Sequence, residues 1–353
     1  MELNKILKEK LVEYKSTLPS EILNDYLEQN PFLADKFSET QKEQFKKGIV
    51  WTLSFLAETV WTEKTALFNE SVSWGKTYFP SVNLPLEYVT GNIKLLKKHL
   101  NKLCSPTETE LINPILDNAV AMMQSTEQQH ISIASAENHL SPFAQNYLNS
   151  LLRGDRNTAL SMVMNDVKSG RPIKDIYLTV FQPVQYEIGR LWQTNKISVA
   201  QEHYCTGATQ LIMSQLYPYL FTGEKKDRKM VMTCVPGELH ELGARMVTDF
   251  FEMNGWDTYY LGANMPAESV VNYLIETKPQ CLAISATMTH HVNAVESLIK
   301  SIRETKESPE DMKILVGGFP FKVAEGLWKT VGADGFAPNA ADAIEIANKL
   351  TAS

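Results

Sequence analysis

Features that mark secreted, membrane-spanning and nucleic-acid-binding proteins are scarce in this sequence. Its 353 residues include four cysteines, whose scattered positions fit neither a zinc site nor a redox motif: Cys104, Cys205, Cys234 and Cys281. No apolar run is long enough to cross a membrane, and the first residues lack the apolar core of a secretion signal. The formal net charge of -7 argues against an intrinsic nucleic-acid surface. We therefore expect buried thiols in a cytoplasmic protein that contacts neither a membrane nor nucleic acid directly.

Strand signals are also nearly absent from residues 1–130, where apolar residues follow helical spacing instead. Phe45, Ile49, Leu53 and Leu56 recur at intervals of three and four. We predict an all-helical domain of about five or six helices in this segment. No nucleophile, base and oxyanion-binding group occur together in it, so we assign no catalysis to it.

This first segment is rich in aromatic residues: Trp51, Trp61, Phe68, Trp74, Tyr78, Phe79 and Tyr88. The favoured interpretation is a core built with large rings, because aromatic side chains bury much apolar area. A pocket for a flat chromophore, or a docking surface, is the alternative. The sequence alone leaves both open.

Residues 141–222 predict three or four further helices. The longest is expected over residues 176–194, with a kink at Pro183 because proline removes a helical hydrogen-bond donor. Ser198 is a good N-cap for the last helix of this segment.

An unusual set of side chains lies near the start of that last helix. Val199, Glu202 and His203 share one of its faces, and Trp192 ends the helix before it. One interpretation is a buried polar pair that fixes the packing of the bundle. The other is a cap over a ligand, in which Trp192 covers a ring or an alkyl group and Glu202 accepts hydrogen bonds from hydroxyl groups.

From residue 226 onward, strand patterns alternate with helix patterns. Strands are predicted at residues 230–235, 258–261, 281–286, 313–317 and 335–337, and the helix before the last strand is predicted at 322–329. Such alternation predicts a parallel, doubly wound sheet.

Polar and small residues follow the ends of these strands. The first strand leads into Glu238, Leu239, His240 and Gly243, and later strands lead into Ser285 and Thr287 and into Gly317 and Gly318. Ligands of open α/β sheets bind at the carboxyl ends of the strands. His240 is therefore a candidate metal ligand, with Glu238 as the carboxylate that orients it and Gly243 as a gap for a bulky ligand.

The pattern Glu238-x-His240-x-x-Gly243, followed by Ser285-x-Thr287 and Gly317-Gly318, resembles the signature of cobalamin-binding domains. The resemblance implies that His240 displaces the dimethylbenzimidazole base and becomes the lower axial ligand of cobalt, with Glu238 as its partner. It also implies a channel for the nucleotide tail, lined by the residues Gly243, Ser285, Thr287, Gly317 and Gly318.

The stretch Gly189-x-x-Trp192, followed by residues 197–203, is similar to the helical cap that precedes such domains. The likeness is to adenosylcobalamin-dependent light-sensing regulators more than to methyl carriers. It implies that Trp192, Val199, Glu202 and His203 cover the upper face of cobalamin. Gln193 departs from the light-sensing pattern, since it stands where those regulators place a second, cobalt-capturing histidine.

The first segment resembles, more weakly, the regulatory domain of photocobilin-like proteins, which pair cobalamin with a bilin, and no helix-turn-helix reader is found. We therefore predict an α + α/β chain with a helical domain over 1–130, a four-helix-bundle cap over 141–222 and a Rossmann-like domain over 226–353. The predicted function is a non-enzymatic adenosylcobalamin photoreceptor, with biliverdin as a candidate second chromophore and a dimer or regulatory partner as output. A corrinoid methyl carrier serving a separate methyltransferase and a light-independent B12 sensor are the alternatives.

Overall fold

A computed structural model of the chain describes residues 2–34, 37–125, 140–220 and 225–352. The chain divides into two compact units, residues 1–132 and 133–353. The division into three domains predicted above remains a prediction, since the second unit holds both the predicted cap and the predicted sheet.

The described part of the first unit is helical throughout, which confirms the all-helical prediction. Six of its helices have at least 12 residues, and α3 has four. They are α1 (Glu2–Glu13), α2 (Leu18–Gln29), α3 (Pro31–Ala34), α4 (Glu39–Thr62), α5 (Thr65–Ser81), α6 (Leu86–Leu103) and α7 (Pro106–Gln124).

Capping boxes start two of these helices. The Ser38 and Ser105 hydroxyls accept hydrogen bonds from the backbone N–H groups of Gln41 and Glu108, whose side chains bond back to the serine N–H groups. Each box satisfies donors that would otherwise be unpaired in the first turn.

The aromatic residues of this unit are divided between its core and its surface. The ring of Tyr26 lies 5.3 Å from that of Phe45 and 5.4 Å from that of Tyr88, and Phe68 is buried. Trp51, by contrast, is 54% exposed. Core packing therefore accounts for some of the rings, as the favoured interpretation expects, and not for Trp51.

The second unit begins with helices that form the predicted cap. They are α8 (Pro142–Leu152), α9 (Arg156–Lys168), α10 (Ile173–Ile176), α11 (Gln182–Gln193) and α12 (Val199–Leu216). Ser198 caps α12, since its side chain accepts a hydrogen bond from the backbone N–H of Gln201, as predicted.

A π-helical turn, Tyr177–Phe181, joins α10 to α11. In this turn the backbone N–H of Gln182 donates to the carbonyl of Tyr177, five residues earlier. Pro183 has no N–H to donate, so regular α-helical bonding is interrupted here and the wider turn takes up the offset. The single helix predicted over residues 176–194 is thus three consecutive segments that begin at Ile173.

A five-stranded, fully parallel sheet follows, in the order β2-β1-β3-β4-β5, which confirms the Rossmann-like prediction. The strands are β1 (Lys229–Cys234), β2 (Asp257–Tyr260), β3 (Cys281–Ser285), β4 (Lys313–Gly317) and β5 (Gly335–Phe336). The order reverses at β1, so a crevice is expected between the carboxyl ends of β1 and β3, where such folds bind ligands.

The helices that alternate with these strands are α13 (Leu242–Met253), α14 (Ala267–Thr277), α15 (Val292–Glu304), α16 (Phe319–Val323), α17 (Leu327–Thr330) and α18 (Ala340–Leu350). The single helix predicted at residues 322–329 is wrong. Ala324 is extended and Gly326 has a left-handed φ of 73°, so the chain leaves α16 and re-enters a helix only at Leu327.

The cap and the sheet share one hydrophobic core. Tyr177 and Phe181 of the π-turn belong to the same buried cluster as Phe250 of α13, and the Tyr177 and Phe250 rings are 6.0 Å apart. The Tyr177 hydroxyl also donates a 2.6 Å hydrogen bond to the buried carboxylate of Asp249. This contact ties the π-turn of the cap to a helix of the sheet domain.

Cys205, Cys234 and Cys281 are buried, as expected, whereas Cys104 is partly exposed. Among the residues that the structure describes, no helix combines the length and the apolar character needed to span a bilayer.

Gly318 is expected to tolerate no side chain. Its φ of 110° disfavours other residues, and a Cβ at this position would overlap the carbonyl oxygen of Ala286. We predict that Gly318→Ala destabilises the apoprotein by about 3 kcal/mol or more, a fall in Tm of roughly 6–12 °C by circular dichroism. Gly317→Ala is the matched control, because its Cβ would lie 3.5 Å from the nearest atom. Equal effects of the two variants would contradict the argument.

Asp249 is expected to make stability depend on pH. Burial raises the pKa of its carboxyl to about 6, although the hydrogen bond from Tyr177 opposes the rise. A carboxyl whose pKa is higher in the folded than in the unfolded state stabilises the fold while it is protonated. This contribution is complete below the unfolded-state pKa near 4, and it is lost as the pH rises through 6. We predict that Asp249→Asn removes a pH-dependent destabilisation that reaches up to about 3 kcal/mol by pH 8.

The measurement is thermal unfolding of wild type and Asp249→Asn between pH 4 and pH 8. Tyr177→Phe is the companion variant, since it removes the hydrogen bond but keeps the carboxyl. A stability difference between wild type and Asp249→Asn that stays constant over this range would exclude Asp249 as the titrating group.

Candidate cofactor-binding site

The loop between β1 and α13 carries His240 at the carboxyl end of the first strand. Gly237 turns the chain with a left-handed φ of 81°. Asn264, from the loop after β2, holds the turn on both sides: its side-chain oxygen accepts from the Gly237 N–H at 2.7 Å, and its own N–H donates to the Glu238 carbonyl at 3.0 Å. The position of the loop is therefore fixed by the neighbouring strand as well as by its own.

Glu238 lies at the centre of this loop and is completely buried. Its Oε1 accepts hydrogen bonds from the backbone N–H of His240 at 2.9 Å and from His240 Nδ1 at 2.6 Å. Its Oε2 accepts from the backbone N–H groups of Thr287 at 2.6 Å and Met288 at 3.2 Å, and from His291 Nδ1 at 3.0 Å. One carboxylate thus joins the loop after β1 to the loop after β3.

The charged form of this carboxylate is strongly favoured. Burial alone raises the pKa of Glu238, but the hydrogen bonds from His240 and His291 outweigh burial and hold the pKa well below its usual range. Burying an ionised carboxyl is costly unless it is hydrogen-bonded, and here both oxygens have donors.

The bond to Glu238 also sets the chemistry of His240. Because Nδ1 donates to a carboxylate, the neutral ring keeps its lone pair on Nε2. The side chain is 61% exposed, so that nitrogen is accessible to a ligand. The same hydrogen bond raises the pKa of the imidazole, and burial opposes the rise. An oriented imidazole with a carboxylate partner is the usual arrangement for a histidine that binds a metal.

His291 is a site residue that the sequence reasoning missed. Its side chain is 11% exposed and completes the set of donors around Glu238. The position of His291 in the sequence could have identified it. His291 follows β3, and β3 neighbours β1 in a doubly wound sheet, so the loop that carries His291 lies beside the loop that carries His240.

The structure brings the remaining predicted residues of the sheet to the same edge. Ser285 pairs in register with Cys234 of β1 on one side and with Gly317 of β4 on the other. Thr287 contributes its backbone N–H to Glu238. No atom lies within 4 Å of where a Cβ at Gly243 would stand, so this position leaves open space. Gly318 leaves no such space, because a Cβ at this position would overlap the carbonyl of Ala286.

Val199, Glu202 and His203 lie in the first turns of α12, and Trp192 lies in the last turn of α11. Further along α12, Gln210 donates a hydrogen bond to Glu241, the residue after His240. The hydrogen bond to Glu238 is the main cause of the raised pKa of His240, and the negative charge of Glu202 makes a minor contribution to it. Val199 is 52% exposed and Leu239 of the loop is 72% exposed. Trp192 is partly buried and packs against the shared core.

The interpretation of Glu202 and His203 as a buried polar pair is wrong. The two side chains do contact each other, but that of His203 is 75% exposed and that of Glu202 is 28% exposed. Gln193, in contrast, is fully buried within the cap. The exposed imidazole in this part of the cap is therefore His203.

Hydrogen bonds connect Glu202 to the interior of the bundle. The Thr206 hydroxyl lies 3.1 Å from both Glu202 Oε1 and Gln185 Oε1. Gln185 Nε2 donates to the Thr209 hydroxyl at 3.0 Å, which lies 3.1 Å from the buried hydroxyl of Tyr147. Glu202 thus competes with Gln185 of α11 for the Thr206 proton, beside hydrogen bonds that extend to Tyr147 of α8.

Two stretches of the chain match known family models. Residues 228–347 match a model described as a B12 binding domain, and residues 144–217 match a second model of the same description. Together they contain more than half of the chain, and they coincide with the sheet domain and with the helical cap.

Curated relatives match the same region. A corrinoid protein of Desulfitobacterium hafniense is 28% identical over 169 residues, which make up 46% of this chain and 76% of that protein. Monomethylamine corrinoid protein 2 of Methanosarcina acetivorans is 28% identical over 193 residues, 53% of this chain and 88% of that protein. The HTH-type transcriptional repressor CarH of Myxococcus xanthus is 23% identical over 181 residues, 50% of this chain and 59% of the repressor.

A solved structure shares the fold. The monomethylamine corrinoid protein of Methanosarcina barkeri superposes with a TM-score of 0.52 at 24% identity, covering 58% of this chain and 96% of that one. The strand order, the buried Glu238 with its two imidazoles and the matches to both models lead to one assignment. The chain belongs to the cobalamin-binding proteins in which a helical B12-binding cap precedes a Rossmann-like B12-binding domain.

Proposed function

We propose that this protein binds adenosylcobalamin between its cap and its sheet and acts as a light-responsive sensor. The observation that carries the proposal is the His240 imidazole, which the buried Glu238 carboxylate holds through Nδ1 and which is exposed enough for Nε2 to reach a ligand. Bound cobalamin would bring most of the ligands of its cobalt with it, so the His240 imidazole would be the protein group that holds the metal.

The fit of the lower face rests on the contacts around Glu238. The carboxylate orients the ring and increases its basicity as a ligand, as it does in other metal sites. Gly243 leaves open space at the start of α13, where a nucleotide tail would need to pass. We assign the tail to the edge formed by this glycine with Ser285, Thr287, Gly317 and Gly318.

The fit of the upper face rests on the cap. Trp192 and Val199 offer apolar surface, and Glu202 offers a carboxylate that the Thr206 hydroxyl holds in place. An adenosyl group has both a flat ring and ribose hydroxyls, which are the two features this set of residues can bind. His203 is exposed beside Glu202 and Leu239 lies exposed next to His240, and we assign both to the ligand surface.

When bound, adenosylcobalamin supplies a cobalt–carbon bond that visible light can break. The protein's part is to hold the ring between two faces and to respond when the upper group is lost. The Thr206 hydroxyl has one proton for two acceptors, Glu202 Oε1 and Gln185 Oε1, so loss of a ligand from Glu202 changes which of them accepts it and with it the contact between α11 and α12. We propose that this change reaches a dimer interface or a regulatory partner.

A corrinoid methyl carrier is the second candidate, and the similarity to dimethylamine and monomethylamine corrinoid proteins favours it. The similarity to the repressor CarH favours a regulator instead. A light-independent B12 sensor shares the site but not the response to light. In all three cases the chain binds cobalamin without itself being an enzyme, and we place it in the cytoplasm. Biliverdin in the helical unit stays a prediction, suggested by its aromatic content.

His240→Ala is expected to weaken adenosylcobalamin binding by about 10- to 100-fold, because the lower face loses its protein ligand. Glu238→Gln should weaken it less, since the histidine remains but its orientation is less well held. Titration calorimetry gives the affinities, and the absorption spectrum reports on the lower ligand. Replacing His99 of the first unit with Ala is the control, and it should leave both unchanged. Wild-type affinity and spectrum in His240→Ala would exclude this histidine as the ligand.

Light is expected to change the protein only when a cobalt–carbon bond is present. Adenosylcobalamin-loaded protein, purified in the dark and then illuminated, should change its absorption spectrum and its elution volume on size-exclusion chromatography. Hydroxocobalamin-loaded protein is the control and should change neither. No change in the adenosyl form would reject the light sensor and leave the light-independent B12 sensor and the carrier, of which the carrier predicts methylcobalamin turnover with a partner methyltransferase.

Trp192→Ala should reduce the preference for adenosylcobalamin over hydroxocobalamin by about tenfold, because an indole ring no longer covers the upper group. Competition binding in the dark measures this ratio. An unchanged ratio would mean that Trp192 does not contact the adenosyl group.

A further inference from the structure

Glu241, the residue after His240, is anchored by hydrogen bonds as Glu238 is. Glu241 Oε2 accepts hydrogen bonds from the Tyr260 hydroxyl and from the backbone N–H of Ala263, both at 3.1 Å. Its Oε1 accepts from Gln210 Nε2 at 3.0 Å. The three donors come from strand β2, from the loop after β2 and from cap helix α12.

The backbone of Glu241 is held as well. Its carbonyl accepts from the Arg245 N–H at 2.9 Å, and its own N–H donates to the Leu239 carbonyl at 3.0 Å. The carbonyl oxygen also lies 3.2 Å from the Tyr260 hydroxyl, whose one proton it shares with Oε2. His240 therefore lies between two anchored carboxylates. Glu238 fixes the ring through Nδ1, whereas Glu241 fixes the peptide from which the ring projects.

Gln210 connects this second anchor, Glu241, to the cap. It lies on α12, two turns after Glu202, which we assign to the upper face. One helix therefore carries the carboxylate that we assign to the upper group in its first turn and, two turns later, a side chain that contacts the loop of the lower ligand. Movement of α12 displaces both contacts together.

We infer that Glu241 is a positioning residue for His240, and that Gln210 links the placement of the lower cobalt ligand to the placement of the cap. This inference rests on the proposed role of His240. It goes further, because it assigns a role to two residues outside the ligand set and predicts that the cap affects the lower face.

The probe is adenosylcobinamide, which lacks the nucleotide tail and its base. Coordination of an imidazole to its lower face changes its colour, so absorption reports on histidine ligation alone. Wild type should show the colour change, and His240→Ala should not. Gln210→Ala should weaken histidine ligation about fivefold, the usual effect of losing one hydrogen bond. Gln210→Glu should weaken it more, because it faces Glu241 with a like charge.

Ser214→Ala is the matched control. Ser214 lies one turn further along α12 and accepts a 2.8 Å hydrogen bond from Arg245, so it also joins the cap to the sheet domain, but away from His240. It should bind adenosylcobinamide with wild-type affinity and colour. Glu241→Ala tests the anchor directly and should weaken ligation about tenfold.

Hydrogen exchange of the apoprotein provides the second readout. The amides of residues 239–242 should exchange faster in Gln210→Ala than in wild type or Ser214→Ala. Wild-type ligation and exchange in the Gln210 variants would overturn the inference while His240 remains the ligand. Absence of the colour change in wild type itself would overturn the proposed function, and this inference with it.

Discussion

The rest of the site depends on a single buried charge. The Glu238 carboxylate has no contact with solvent, and it is stable as an anion only because two imidazoles and three backbone N–H groups donate to it. Those donors come from two different loops. The carboxylate therefore does two things at once: it fixes the tautomer of His240, and it holds the loops after β1 and β3 together at the point where the strand order reverses.

Much of this could be predicted from the sequence, because the governing patterns are local. The alternation of apolar strands and amphipathic helices predicts a parallel sheet, and such a sheet places the residues after each strand on one edge. Glu238, Ser285 and Gly317 can be grouped for that reason, because they lie at or just after the carboxyl ends of three strands. Ser198 could be identified as an N-cap because the capping box is a short-range pattern.

The failures concern features that depend on distant parts of the chain or on single backbone angles. The break at Gly326 requires one left-handed φ that the apolar spacing does not reveal. Whether Glu202 and His203 are buried depends on how the cap lies on the sheet, which helical periodicity does not determine. His291 was overlooked because its meaning comes from a neighbouring strand rather than from its own surroundings in sequence.

Burial of the Asp249 carboxyl beside Tyr177 of the cap makes the closed arrangement of cap and sheet a proton-binding state, although the hydrogen bond from Tyr177 opposes proton uptake. With a pKa of about 6, this carboxyl is half protonated near pH 6 while it is buried, and almost fully ionised if separation of the cap returns it to water. Closure of the cap on the sheet then takes up about half a proton at that pH. Through Asp249 alone, a ligand that favours the closed form gains affinity as the solution becomes more acidic, even though this carboxyl does not touch it.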